Sequence, residues 1–590
     1  MENEPAVELP QQVKPTHVRE ITVRSAIAAL LVAALIGASY PYVVLKFGFG
    51  PNISVVSAFF GFLMLGLVSR SYNRWENNIV QTAGTAAGQI AFMCWLVAAF
   101  EILASQDKSF DVHLTPLQVF LWFSIAGLLG VFLAVPLRRH FIVDEKLPFP
   151  DGIAAAETLT ALDSRGPEAR RPAFAMVAAL VASMTEKLLM SFEKLREGID
   201  FAFVPFGART HVGIDFGILA IGSGMIIGLR VCASMFLGML IGWVIGPQWL
   251  LAHGYIDEGT TRTGILLLVM WPATGALVAG GLTALALKWR TLAASFRSLS
   301  GGSVDASDFP MRWVIAGSIV CAIALVIVQF VIIGTPWWQS VLAILLSLPL
   351  MVVAMRVLGE TNWGPISTMT NVMQGMFGAI APGNLKASMV SSGITGSVAA
   401  ESEGLMQDYK TGHIIGSTPR LLTYVQLAAV PVGALALAFV YPLIRDKYGI
   451  IGPDAKLSSP TSLRWVGFAQ WLKQIGDAGD GGLDPALARR VEWMQVSFVI
   501  GACFGIALTL LENVKSIRTW VPSVTGAGIG MLVPANAVTT MFIGALIGTA
   551  WRWLSRSTSD RYQIPVASGF IAGEALIAVI IPVMDKFGWL

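Results

Sequence analysis

Glu574 stands inside the apolar run ASGFIAGEALIAVIIPVM. It lies about eleven residues from either end of the longer apolar span 562–584, or roughly 16 Å of helix each way. A carboxylate so deep in lipid must face the bundle interior or water, or carry a proton. As a neutral group it could instead bond a neighbouring helix as packing glue. A second set of polar groups falls on one helical face: Asn78, Gln81, Thr82, Thr85 and Gln89 follow the spacing i, i+3, i+4, i+7, i+11. Gly84 and Gly88 sit beside them at GxxxG spacing. That stripe reads either as a pore-lining row of hydrogen-bonding groups or as a tight contact between helices, and the two readings are compatible. A third set lies in SSGITGSVAAESEGLMQDYKTGHIIGSTPR (391–420), where Ser397, Glu401, Gly404 and Asp408 repeat the spacing 0, 4, 7, 11. Lys410, His413 and Arg420 follow. Glu401 could be tied into a salt bridge with Lys410 or Arg420, or it could face substrate and titrate.

A fourth feature is LPFPDGIAAAETLTAL (147–162), too apolar for an ordinary loop and too interrupted for a membrane span. An interrupted helix exposes first-turn amides, a partial positive charge that attracts anions. Exposed backbone at membrane depth survives only where it lines a cavity. Pro150 and Gly152 would shape such a half-helix, with Glu157 presented to a polar chamber. The plainer reading is an amphipathic cytoplasmic helix between basic turns.

The elements that must hold these residues are membrane helices. The chain has 590 residues, of which 55% are hydrophobic and 13% charged, with a mean hydropathy of +0.67. Soluble chains carry roughly 25% charged residues. Charge-free windows long enough to cross a bilayer, together with the weaker segments 147–162 and 172–192, number about sixteen or seventeen, some of them not full crossings. An all-α polytopic bundle of about sixteen helices is therefore expected. Lys14, Arg19 and Arg24 precede the first span, and Arg70, Arg74, Arg138, Arg139 and Lys146 occupy alternate turns, so the N-terminus is expected inside. Residues 1–20 lack the form of a cleaved signal. Cys94, Cys232, Cys321 and Cys503 fall in apolar helices at unrelated spacings, which suggests packing rather than disulfides or a metal site.

A polar segment at 291–310 divides a first half (21–290) from a second (311–590), which carries an extramembrane insert at 445–491. GFGPNIS (48–54) and NWGPISTMTN (362–371) place Gly-Pro at the start of a span in each half. LPFPDGIAAAE is echoed by WVPSVTGAGIGMLVPAN (520–536). Such pairs suggest two related halves with interrupted half-helices, the pattern of transporters built from repeats. In the insert, Trp465, Phe468, Trp471, Leu472 and Ile475 share one helical face, suited to lying at the membrane interface. GDAGDGGLD (476–484) lacks the ligand pattern of a calcium loop and reads as a surface turn.

GxxxxGK[ST], HExxH and GxSxG do not occur in the sequence. A built-in nucleotide motor, a membrane protease and a hydrolase therefore have no support. No cofactor, metal site or nucleic-acid partner is expected.

ENNIVQTAGTAAGQI (76–90), LPFPDGIAAAETL (147–159), QDYKTGHIIGSTPR (407–420) and ASGFIAGEALIAVI (567–580) together resemble the oligopeptide transporter family, which includes the yellow stripe-like metal-chelate transporters. Residues 19–49 also look like that family's first span, while 359–380 is a looser match. The resemblance implies about sixteen transmembrane helices and inward transport of peptides or peptide-like metal chelates, usually driven by protons. Carried onto this chain it marks Asn78, Gln81, Thr82, Pro150, Gly152, Glu157, Asp408, Lys410 and Glu574. The expected substrate contacts are Asn78, Gln81, Thr82, Gly152, Glu157, Glu401 and Asp408. Glu574, Glu401 and Glu157 are the expected proton carriers, with Pro150, Lys410 and Arg420 in structural or gating roles. The partners are then a small peptide or a metal chelate, protons and the lipid bilayer of the cell membrane, with a homo-oligomer left open. A membrane enzyme acting on lipid-linked substrates would need a nucleophile with its base or a paired-acid metal motif, and neither is found.

Overall fold

The computed structural model describes residues 14–586 apart from 16–17, 48–52, 69–71, 109, 111, 164–166, 288–307, 452–456, 458, 478–484, 515 and 519. Most of the 291–310 segment, the Gly-Pro pair at 50–51 and most of GDAGDGGLD lie outside the described residues. The described chain is almost wholly helical. Its strands are two three-residue pieces, Gly198–Asp200 and Gly213–Asp215, paired antiparallel with Ile199 opposite Ile214. Among the described residues, eleven helices are long and apolar enough to cross a membrane, and Ile53–Gly66 and Ile218–Ile227 are shorter apolar helices.

Two helices form the centre. In Arg74–Phe92 every residue is buried except Arg74, Gln89 and Phe92. In Leu385–Ile415 only Lys386 and His413 escape burial. Both are rich in amides, hydroxyls and acids, whereas the outermost helices are apolar all round. Met311–Val328 leaves Ile315, Ile319, Val320, Ile323 and Ile327 more than half exposed, the surface expected against lipid. This inside-polar arrangement follows from the solvent: lipid rewards no burial of apolar side chains, while polar ones must find partners within the protein.

Local signals set the ends of the inner elements. Asn73 and Glu76 form a reciprocal capping box at the start of Arg74–Phe92. Asn384 caps Leu385–Ile415, and Gly416, at φ 79°, ends it. Several helices are broken where the sequence places Pro and Gly. Phe149 adopts φ 43° immediately before the short helix Pro150–Leu162. Gly228, at φ 91°, separates Ile218–Ile227 from Leu229–Met239. Residues 531–534 separate Val524–Gly530 from Ala535–Leu554.

The insert helix Pro460–Asp477 turns part of its apolar face to protein. Trp465 and Phe468 are 2% and 0% exposed. Trp465 packs edge-on against Trp95, and Phe468 lies against Trp271. Ser462 donates to the Trp95 carbonyl and Lys473 pairs with Asp107 at 2.7 Å. Two residues of the apolar face, Trp465 and Phe468, are thus covered by protein, while Trp471, Leu472 and Ile475 stay partly exposed.

Candidate functional site

The two polar stripes meet each other. Gly404 receives Gln89, where an added methyl would lie 2.7 Å from the Gln89 Cγ. One turn further, Asp408 accepts hydrogen bonds from Gln81 Nε2 and from Gln426 Nε2, both at 2.6 Å. Gln81 also donates to Thr85 Oγ1 at 2.9 Å, and Thr85 in turn contacts Ser54 Oγ at 3.2 Å. Asn78 donates to Ser417 Oγ at 2.8 Å. No cation pairs with Asp408 among the described residues. Around it Asn78 Oδ1, Gln81 Oε1, Thr82 Oγ1 and Gln426 Oε1 are buried without a hydrogen-bond partner among the described residues. Three of these four are amide oxygens, so the site is short of donors. Beside the stripe the GxxxG pair makes the close contact with the same helix, Ile53–Val68: Gly84 lies against Ser57 and Gly88 against Ile53.

The half-helix Pro150–Leu162 docks on the end of Trp337–Thr361. Phe149 N–H donates to the Gly359 carbonyl at 2.9 Å. The amide of Asp151 donates to Asn362 Oδ1 at 3.1 Å, and Asn362 Nδ2 donates back to Asp151 Oδ1 at 2.8 Å. Ile153 N–H is held by the Phe149 carbonyl, and Pro150 has no N–H. The amides of Asp151 and Ile153 are thus engaged, and Asp151 brings a negative charge to the site of the expected anion cradle. Gly152 is a packing residue here: a methyl on it would lie 2.6 Å from the Gln407 carbonyl oxygen and 3.0 Å from Lys410 Cβ. Thr411 Oγ1 adds a bond to the Gly152 carbonyl at 2.9 Å. Glu157, on the same half-helix, is only partly buried and has no hydrogen-bond or ion-pair partner among the described residues.

Glu401 has a different environment. It is fully buried, its Cβ and Cγ against Gly130 and Gly127, and neither carboxylate oxygen has a partner among the described residues. The salt bridge to Lys410 or Arg420 does not form. Lys410 is buried beside Gly152, and the Arg420 guanidinium turns to the hydroxyl of Tyr424 at 3.0 Å. An exposed arginine gains more from water and an aromatic ring than from entering a dry contact.

Glu574 belongs to a separate cluster, built by a glycine seam. Gly569 and Gly573 lie against the carbonyls of Met176 and Leu180, where added methyls would be 2.3 Å from the oxygens. Ser183 Oγ donates to the Phe570 carbonyl at 2.8 Å. One turn on, Lys187 Nζ stands 3.4 Å from Glu574 Oε1. Glu574 Oε2 accepts the N–H of Leu219 at 3.2 Å, capping the start of Ile218–Ile227. Asp215 lies beside it, its Oδ1 taking the Gly217 amide at 2.9 Å. Glu186 contributes a third carboxylate whose oxygens are buried without hydrogen bonds among the described residues. Sequence reading picked out Glu574 and missed Lys187, Glu186 and Asp215. Their signal was present as charges interrupting otherwise apolar runs.

A third charged group joins distant segments. Arg356 reaches Glu145 at 2.8 Å and Glu360 at 2.9 Å, and Arg230 pairs with Glu512 at 2.6 Å. Arg356 and Glu512 both line a small cavity between the helices Arg262–Leu287, Trp337–Thr361, Pro485–Glu512 and Val524–Gly530.

Residues 20–584 match the family model described as OPT oligopeptide transporter protein. The chain belongs to the oligopeptide transporter family. Similar proteins include a Saccharomyces cerevisiae protein that carries the name oligopeptide transporter, 23% identical over 97% of both chains. An Oryza sativa subsp. japonica protein named a probable metal-nicotianamine transporter is 24% identical, over 96% of this chain and 90% of its own. A Haemophilus influenzae protein named an oligopeptide transporter is 22% identical over 86% of each chain. The protein is thus a multi-pass membrane protein of a transporter family, with peptides and metal–nicotianamine complexes among the substrates that its relatives' names record. Of the residues marked by the family motifs, Gln81 and Asp408 are in direct contact, while Glu574 sits in the separate Lys187 cluster.

Proposed function

We propose that this family member is a secondary active transporter that moves small peptides inward, coupled to protons, without an enzymatic step. The observation that carries the reading is Asp408: a fully buried carboxylate that accepts from two neutral amides, has no cation beside it among the described residues, and is ringed by amide oxygens that lack donors. Peptide N–H groups supply what that ring lacks, and a proton would offset the charge of Asp408. Asn78, Gln81 and Thr82 are the proposed neighbours of the substrate. Glu574 and Glu157, the two acids with some access, are the proposed proton carriers, and Glu401 would join them only after the Gly127–Gly130 contact opens. Two related halves and a cytoplasmic N-terminus in the cell membrane complete the reading.

Uptake of labelled tri- to pentapeptides into proteoliposomes, with and without an imposed inward proton gradient, tests it. Gradient-stimulated uptake is expected, and Glu574→Gln should remove the stimulation. Uptake indifferent to the gradient would overturn the coupling.

The second reading is uptake of a metal already held by a chelator, favoured by the relatives named for metal–nicotianamine transport. No group of three or more His, Cys, Asp or Glu among the described residues could hold a bare ion. Competition between peptides and iron chelates in the same vesicles separates the two.

A further inference from the structure

Glu403, five residues before Asp408, lies off the 397–408 stripe and faces another way. It is 3% exposed, and its Oε1 has no hydrogen-bond partner among the described residues. What covers it is the turn between Trp337–Thr361 and Ile366–Ile380. Gly364 lies so close that a methyl there would be 2.1 Å from Glu403 Oε2. Only glycine lets the turn sit down on the carboxylate. The turn itself is at the surface: Trp363 is 36% exposed and Gly364 is exposed. A single residue of backbone therefore separates a buried, unpaired acid from solvent.

The turn is fastened from one side. Asn362, at φ 61°, closes the preceding helix and exchanges two hydrogen bonds with Asp151 of the half-helix, at 3.1 and 2.8 Å. The half-helix is positioned by Phe149, whose ring lies against Gly359 and whose amide bonds the Gly359 carbonyl. Two residues in the left-handed region, Phe149 and Asn362, thus meet at the clasp. Such conformations persist only while their surroundings hold them.

We propose that Glu403 is a binding carboxylate for the ammonium group of the substrate, and that the Asn362–Gly364 turn is its lid, latched by Asp151. The proposal rests on the reading of the protein as a carrier of amine-bearing substrates. A buried carboxylate without a cation is the complement of an ammonium, which donates three hydrogen bonds and neutralises the charge. Opening the lid requires the Asp151–Asn362 pair to part, so binding at Glu403 is tied to movement of the half-helix.

Two measurements on the full-length protein test this. In proteoliposomes, uptake of trialanine is compared with that of N-acetyl-trialanine, which lacks the ammonium. Glu403→Gln should raise KM for trialanine at least tenfold and leave the acetylated peptide unchanged. An equal loss for both peptides, or no loss for either, would overturn the role of Glu403. If the wild type carries neither peptide, the peptide reading fails by itself, and the second measurement decides for the lid. There the thiol introduced by Glu403→Cys, in a Cys503→Ser background, reacts with a cationic methanethiosulfonate in detergent. Adding Asn362→Ala should raise the reaction rate at least tenfold. An unchanged rate would show that the turn is no lid.

Discussion

The Asp408 network makes a prediction that separates hydrogen bonding from charge. In Asp408→Ala both carboxylate oxygens vanish. Gln81 Nε2 keeps its second bond to Thr85 Oγ1, but Gln426 Nε2 loses the one partner it has among the described residues. Hydrogen bonds to a charged group are worth about 1.5–3 kcal/mol, and an orphaned buried donor costs about 1–3 kcal/mol. The partial rescue of Gln81 puts the net loss at about 2–4 kcal/mol. Asp408→Asn differs in kind. Its new NH2 group faces an amide donor, yet Gln426 has an unused Oε1 that a flip of its amide brings round. The loss should then stay under about 1 kcal/mol. Thermal unfolding of the detergent-solubilised protein reads the two variants: a clear fall in Tm for Asp408→Ala, a small one for Asp408→Asn. Uptake reads the charge, and Asp408→Asn should abolish it while leaving the fold intact. Equal destabilisation by the two variants would refute the hydrogen-bond accounting. Full uptake by Asp408→Asn would remove Asp408 from the transport mechanism.

Other expectations follow from the remaining clusters. Lys187→Met and Glu574→Gln, combined in a double-mutant cycle by thermal unfolding, should show a coupling of about 1–3 kcal/mol, because both groups are largely buried. Gly573→Ala places a methyl against the Leu180 carbonyl; a loss of about 1–3 kcal/mol is expected, together with disappearance of the Lys187–Glu574 coupling. Arg356→Met leaves Glu145 and Glu360 without their shared cation and should cost about 3–5 kcal/mol, read as a fall in Tm. Trp465→Ala should cost a similar 3–5 kcal/mol, since the ring is fully packed, and limited proteolysis should then cut faster near the insert.

Much of the centre was legible because polar residues in lipid-length helices are few and periodic. The stripes 78–89 and 397–408 were visible as spacing, and contact between Gln81 and Asp408 follows once the two helices pack face to face. Gln426 was not legible, since one amide in an apolar helix carries no periodic signal. The Lys187–Glu574 pair depends on a glycine seam between helices from opposite ends of the chain, and a single sequence does not report register between distant helices. The half-helix 147–162 is read through the helix dipole, which says where anions are welcome but not whether the protein has already supplied one. Asp151 is that anion, and Asn362 is its partner. In Pro460–Asp477 the packing of Trp465 and Phe468 on Trp95 and Trp271 was not legible, because periodicity gives the direction of the apolar face and not what covers it.

The position of the half-helix explains why so many acids gather near it. Its Gly152 touches the backbone of Leu385–Ile415 at Gln407, one residue before Asp408. Its Ile153, Ala154, Ala155, Ala156 and Leu159 pack in one cluster with Ile564, Ala567, Ile571 and Ala572 of the helix that carries Glu574. Small side chains at these positions make the contact close on both sides, and close packing transmits displacement with little slack. The half-helix thus packs at once on the helix that carries Asp408 and on the helix that carries Glu574. Glu157 lies among these residues on the same half-helix and is only partly buried. Of the amides at its start, those of Phe149, Asp151 and Ile153 find protein partners in the Gly359 carbonyl, Asn362 Oδ1 and the Phe149 carbonyl. The Asn362 turn and the two acid clusters are thus joined through one short, closely packed element.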